Sequence, residues 1–135
     1  MLQYNMFYVK GGTKTQRELT ENVAMFAIKN LFPKIRKYFI LIRLDKFNDC
    51  FEYDERDYVI NIDKKQDRDD FITAIFHELV HVKQYLKNEM DNYTFKSTTD
   101  YYMLPQEQEA YSVQEELLKL WDTEKKNEKL KVKKP

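Results

Sequence analysis

A helix-period run that carries both of the chain's histidines constrains the fold more than any other feature. Across residues 71–86, Phe71, Ile75, Leu79, Val82 and Leu86 recur three and four positions apart, so the run forms a helix with one face in a core. Inside it, His77-Glu78-Leu79-Val80-His81 reads H-E-x-x-H. Residues four apart stack on one helix face, so the two imidazoles can converge on a single metal while Glu78 sits one step round. A five-residue match can arise by chance, and two histidines can simply pack in a core. Here the chain's only two histidines both fall in the motif, on a half-buried helix, which favours a zinc site over core packing.

Elsewhere the pattern points to an α+β domain. Thr15-Gln16-Arg17-Glu18 matches a capping box and predicts a helix start there. Leu19, Val23, Phe26, Ala27 and Leu31 give that helix an apolar face and Pro33 stops it. Tyr38-Phe39-Ile40-Leu41-Ile42-Arg43-Leu44 is apolar on both parities, as expected of a central strand covered on both faces. Residues 50–53 and 58–62 read as two further strands joined by a hairpin turn at 54–57. Asp63 to Asp70 is a polar connection, and the motif helix is expected to start near Asp69, its positive end favoured by these aspartates. Residues 88–102 lack a sustained period and predict a long loop over or near the site. Pro105 suits the first turn of another helix, with Ala110, Val113, Leu117, Leu120 and Trp121 on one side. The expected domain is 1–124, followed by a basic, disordered tail at 125–135.

With 135 residues, 42% of them hydrophobic, the chain has material for one core. Lys and Arg balance Asp and Glu at 23 each, so no global field points to nucleic acid or an anionic membrane. Only the lysines of the tail, mixed with Glu124 and Glu128, offer nucleic acid a contact, and a solvated arm explains them as well. A single cysteine, Cys50, excludes an internal disulfide, and residues 1–6 lack the basic start and apolar core of a signal peptide. The expectation is a cytoplasmic monomer with no membrane contact.

A catalytic zinc takes three protein ligands and keeps a position for water, so a third ligand is required. With no histidine left it must be a carboxylate. Glu89, Asp91, Asp100, Glu107, Glu109, Glu115 and Glu116 lie downstream, and Glu107 and Glu109 are best placed, in the first turn of the last helix.

The motif followed on a later helix by Pro105-Gln106-Glu107-Gln108-Glu109-Ala110 resembles the gluzincin pattern of zinc metallopeptidases. In compactness the chain is similar to minigluzincins, small phage and mobile-element metallopeptidases, and the peptidase domain of ImmA/IrrE-type regulators. The resemblance covers roughly residues 58–121. It implies a compact zincin-like fold: an N-terminal helix, a small mainly antiparallel sheet, the motif helix and a C-terminal glutamate helix. It also implies Zn2+ held by His77, His81 and Glu107, with Glu109 the alternative, and hydrolysis of a protein or peptide substrate with Glu78 as general base and then acid. Tyr93, Tyr101, Tyr102 and Tyr111 are the phenols available to a developing oxyanion. Tyr111 departs from the pattern, since larger gluzincins often place an aspartate there. Lys83 departs too, after the motif, where an apolar residue is usual. The reading from a different class is a catalytically silent, zincin-like module that binds metal or a protein partner.

Overall fold

The computed structural model describes residues 6–46, 49–54, 56–89 and 104–133. The chain runs β1 (Met6–Gly11), α1 (Lys14–Leu31), β2 (Phe39–Asp45), β3 (Cys50–Asp54), β4 (Asp57–Asp63), α2 (Arg68–Leu86) and α3 (Pro105–Lys133). The four strands form one sheet in the order β1-β2-β4-β3. The class is α+β, as expected, but the sheet is mixed and not mainly antiparallel. β1 pairs with β2 and β2 with β4 in parallel, and only the β3–β4 hairpin is antiparallel. The reason lies in the connections. α1 returns the chain across the sheet between β1 and β2, and β4 inserts between β2 and β3, so β2 never pairs with the strand that follows it.

Register carries the core. Ile40, Ile42 and Leu44 face Tyr58, Ile60 and Ile62 across the β2–β4 ladder, and all six are buried. Alternate residues point to the other face. There Phe39, Leu41 and Arg43 stay half-buried, so among the described residues the two-sided apolar run is covered by helices on one face only. Against the inner face lie Val23, Ala24 and Ala27 of α1 and Ile72, Ile75, Phe76, Leu79 and Val80 of α2, with Ala110, Leu117 and Trp121 of α3 completing the core. At roughly 25 cal/mol per Å² of apolar surface, burial of this cluster is the main force holding the elements together.

The first helix begins two residues earlier than the Thr15 box suggests. Thr13 is the N-cap: its Oγ1 accepts from Gln16 N (3.1 Å) and Gln16 Oε1 accepts from Thr13 N (2.9 Å). Gly11 and Gly12 decide this. Both have positive φ (88° and 65°), and a Cβ on Gly11 would lie 2.2 Å from the Leu44 carbonyl oxygen, so only glycine lets the chain leave β1 this tightly. α2 starts at Arg68 with Asp67 as N-cap; the Asp67 side chain makes no capping bond, and Asp69 and Asp70 complement the positive helix end by charge. Pro105 does open α3, and that helix continues to Lys133 through the stretch read from the sequence as a tail, with a Lys125–Glu128 pair at 3.2 Å along it. The long loop expected at 88–102, and with it Tyr93, Tyr101, Tyr102, Asp91 and Asp100, falls mainly at 90–103, outside the described residues. Among the described residues no helix is long and apolar enough to cross a membrane.

Candidate metal centre

α2 holds His77 and His81 one turn apart on the same face, with ring centroids 4.9 Å apart and planes at 83°. α3 packs on α2 and presents Glu107 from its first turn. The carboxylate enters between the two rings: Oε1 lies 3.0 Å from His77 Nε2 and Oε2 lies 3.0 Å from His81 Nε2. Water is nearly excluded, since the side chains of His77, His81 and Glu107 are 12%, 7% and 4% exposed. One ligand-type atom from each lies within 4.8 Å of the others. Ligands about 2.0–2.1 Å from a tetrahedral ion lie about 3.3 Å from one another, so the carboxylate–imidazole separations need only small adjustment to take an ion. These three residues could hold a metal ion.

The hydrogen bonds around the rings favour a cation there. His77 Nδ1 lies 2.7 Å from Gln114 Oε1, and His81 Nδ1 lies 2.8 Å from Gln84 Oε1. An amide oxygen only accepts, so each Nδ1 carries the hydrogen. A neutral ring then turns its Nε2 lone pair toward the Glu107 carboxylate. Two lone pairs facing one buried carboxylate repel it unless protons or a positive ion lie between them. The titration of His81 reflects the same field. Burial pulls its pKa down, but the hydrogen bonds to Glu107 and Gln84 and the charges of Glu107 and Glu78 outweigh burial and raise it.

Glu78, the next residue along α2, is 6% exposed, and its pKa is pushed up to about 7. Burial is the largest cause; the neighbouring His77 and His81 lower it, and Glu107 and Asp49 add to the rise. It lines an open cleft of about 420 Å³ together with His77, Tyr111, Gln114, Asp49, Gln66, Asp70, Thr73 and Ala74. A carboxyl poised near neutrality at the wall of a cleft, beside a group of metal-ligand type, suits proton transfer.

Among the downstream carboxylates weighed as a third ligand, the structure brings Glu107 to the histidines. Glu109 is turned away: its Oε1 accepts from Gln84 Nε2 (2.9 Å) and lies 3.6 Å from Lys83 Nζ. Lys83, unusual for the pattern, is mostly buried on this flank and also reaches Glu89 at 2.8 Å. Of the four phenols, Tyr111 is the one among the described residues, with its ring 4.7 Å from that of His77. Gln84 and Gln114 were missed by sequence reasoning. A signal existed: Gln84 lies three residues after His81, and Gln114 lies seven after Glu107, two turns along the same face, so each is a polar residue in an otherwise apolar stripe. Asp49 was missed as well, because it lies in a turn; the backbone N–H of Asp63 (2.9 Å) and the Gln66 side chain (2.9 Å) hold it at the cleft. No family model, curated protein or solved structure matches the chain.

Proposed function

We propose that the chain is a zinc-dependent endopeptidase of the gluzincin type. The observation that carries this reading is the convergence of His77 Nε2, His81 Nε2 and the Glu107 carboxylate beside Glu78 at the cleft. His77, His81 and Glu107 are the zinc ligands. A zinc ion held there supplies a Lewis acid for a scissile carbonyl and acidifies a water molecule. Glu78 takes the proton of the attacking water and passes it to the leaving amine, and its burial sets its basicity for the first transfer without preventing the second. Tyr111, whose ring lies beside that of His77, is the described phenol that would serve as donor to the developing oxyanion. Gln114 and Gln84 hold the rings.

Two measurements test the reading. The native chain, purified without chelators, should contain about one zinc per chain, and His81→Ala should contain none. Glu78→Gln should retain the zinc and lose hydrolysis of a peptide library by about a thousandfold or more. A chain that binds zinc yet cleaves nothing, with or without Glu78, would instead be a silent metal-binding module.

A further inference from the structure

The proposed site needs more than three ligands, because a histidine can coordinate through Nε2 only if its hydrogen is on Nδ1. At His81 the structure shows what makes that choice. Gln84 is fully buried one turn further along α2, and its Oε1 meets His81 Nδ1 at 2.8 Å. An isolated amide could turn over and offer its NH2 to Nδ1 instead, which would put the ring hydrogen on Nε2 and close that atom to a metal. This amide is not isolated. Its Nε2 donates to the Gln106 backbone carbonyl at 3.0 Å and to Glu109 Oε1 at 2.9 Å. Both partners can only accept, so a turned amide would set its oxygen against two other oxygens in a buried site.

We infer that Gln84 is a positioning residue that holds His81 in the tautomer with hydrogen on Nδ1, and that Glu109 acts through Gln84 to fix the direction of the amide. The chain of control runs from the half-exposed Glu109 carboxylate through the buried amide to the ring, and ends at the Nε2 atom that faces Glu107. It gives Glu109 a defined part in the site by way of Gln84. The corresponding hold on His77 is looser. Gln114 Oε1 meets His77 Nδ1 at 2.7 Å, but among the described residues the Gln114 amide N–H reaches only Glu115 Oε1, at 3.4 Å, and the residue lines the open cleft. Gln84 therefore matters more to the site than Gln114.

This inference rests on the zinc reading and is tested on the full chain with zinc alone. Affinity is measured by competition with a chromophoric chelator, and the His81 ring N–H is followed by proton–nitrogen NMR of the zinc-loaded protein. Gln84→Met should weaken zinc binding about 10- to 100-fold and should abolish the slowly exchanging His81 Nδ1–H signal, whereas Gln114→Met should cost less. Should Gln84→Met fail to fold, Glu109 serves instead because it is half-exposed. Glu109→Ala should weaken binding about fivefold, below the range for a direct partner, and Glu109→Gln, which retains an acceptor oxygen, should restore native affinity. Native affinity in both Gln84→Met and Glu109→Ala overturns the inference, as does a native zinc-loaded protein carrying its His81 hydrogen on Nε2. A native chain that takes up no zinc overturns the zinc reading and this inference with it, and it is recognised before any variant is made.

Discussion

Two junctions join α2 to α3, and they are built from opposite materials. At one, Phe76 of α2 and Trp121 of α3 meet edge to face at 6.5 Å, with Phe26 of α1 closing the group at 5.4 Å from Trp121. At the other, near the start of α3, the same two helices meet through His77, His81, Gln84, Glu107 and Gln114, with Gln84, Glu107 and His81 buried almost completely. Aromatic packing of the first kind contributes to stability directly, through area and ring geometry. A buried polar cluster of the second kind is at best neutral for stability relative to apolar side chains of the same volume. The contrast teaches that the helix pair is held at the aromatic junction and that the polar junction is retained for something other than holding it.

The largest expected effect breaks the aromatic side. Phe76 is fully buried, so Phe76→Ala should cost about 3–5 kcal/mol in urea unfolding of the metal-free chain. The fraction that remains folded should still bind zinc. A loss below about 1 kcal/mol would mean that the junctions do not divide the work as described.

The polar side should show itself through pH. Glu78 has a folded pKa of about 7, raised from 4.5, so its contribution to stability is fully present below about pH 4.5 and is lost as pH rises through 7. His81 is also raised from its ordinary value of 6.5, so its contribution has the same sign and declines at higher pH. The chelator-treated chain should therefore lose stability across roughly pH 4.5 to 7, by up to about 3 kcal/mol from Glu78. Glu78→Gln should flatten that part of the curve. A urea midpoint that climbs over the same interval would contradict the assigned burial of Glu78.

Glu107→Gln sharpens the comparison, because it keeps the shape of the side chain and one acceptor oxygen, removes the charge and turns the other oxygen into an amide donor. Zinc affinity should fall by about 100-fold or more, as the direct ligand should exceed the loss seen for outer partners. The melting temperature of the metal-free protein should move by no more than a few degrees. A large loss of metal-free stability would show that the polar junction does hold the helices.

The smallest effect lies back at the aromatic junction. Trp121 is buried, and its Nε1 has no hydrogen-bond partner among the described residues. Trp121→Phe loses packing area but also removes a buried donor whose burial costs about 1–3 kcal/mol. The two nearly cancel, so a change within about 1 kcal/mol is expected from denaturant unfolding.

Much of this was legible in the residues themselves, and what was legible is local. Helical spacing from Phe71 to Leu86 set α2, and the four-residue step from His77 to His81 put both rings on one face whatever the rest of the chain does. Pro105 opened α3, and the turn of about 200° between Glu107 and Glu109 meant that only one of them could face the histidines. These follow from backbone geometry within a few residues, where hydrogen bonds and side-chain periods are short-range. Tertiary structure alone decided the rest. The parallel pairing of β1, β2 and β4 depends on how α1 crosses the sheet, and the start of α1 at Thr13 depends on the close approach of Gly11 to Leu44. That Gln84 finds Glu109 and Gln114 finds His77 depends on α3 docking against α2 across 20 to 40 residues of chain. No local period encodes such pairs, because a buried amide or carboxylate acquires its partner only when packing has excluded the water that would otherwise serve as one.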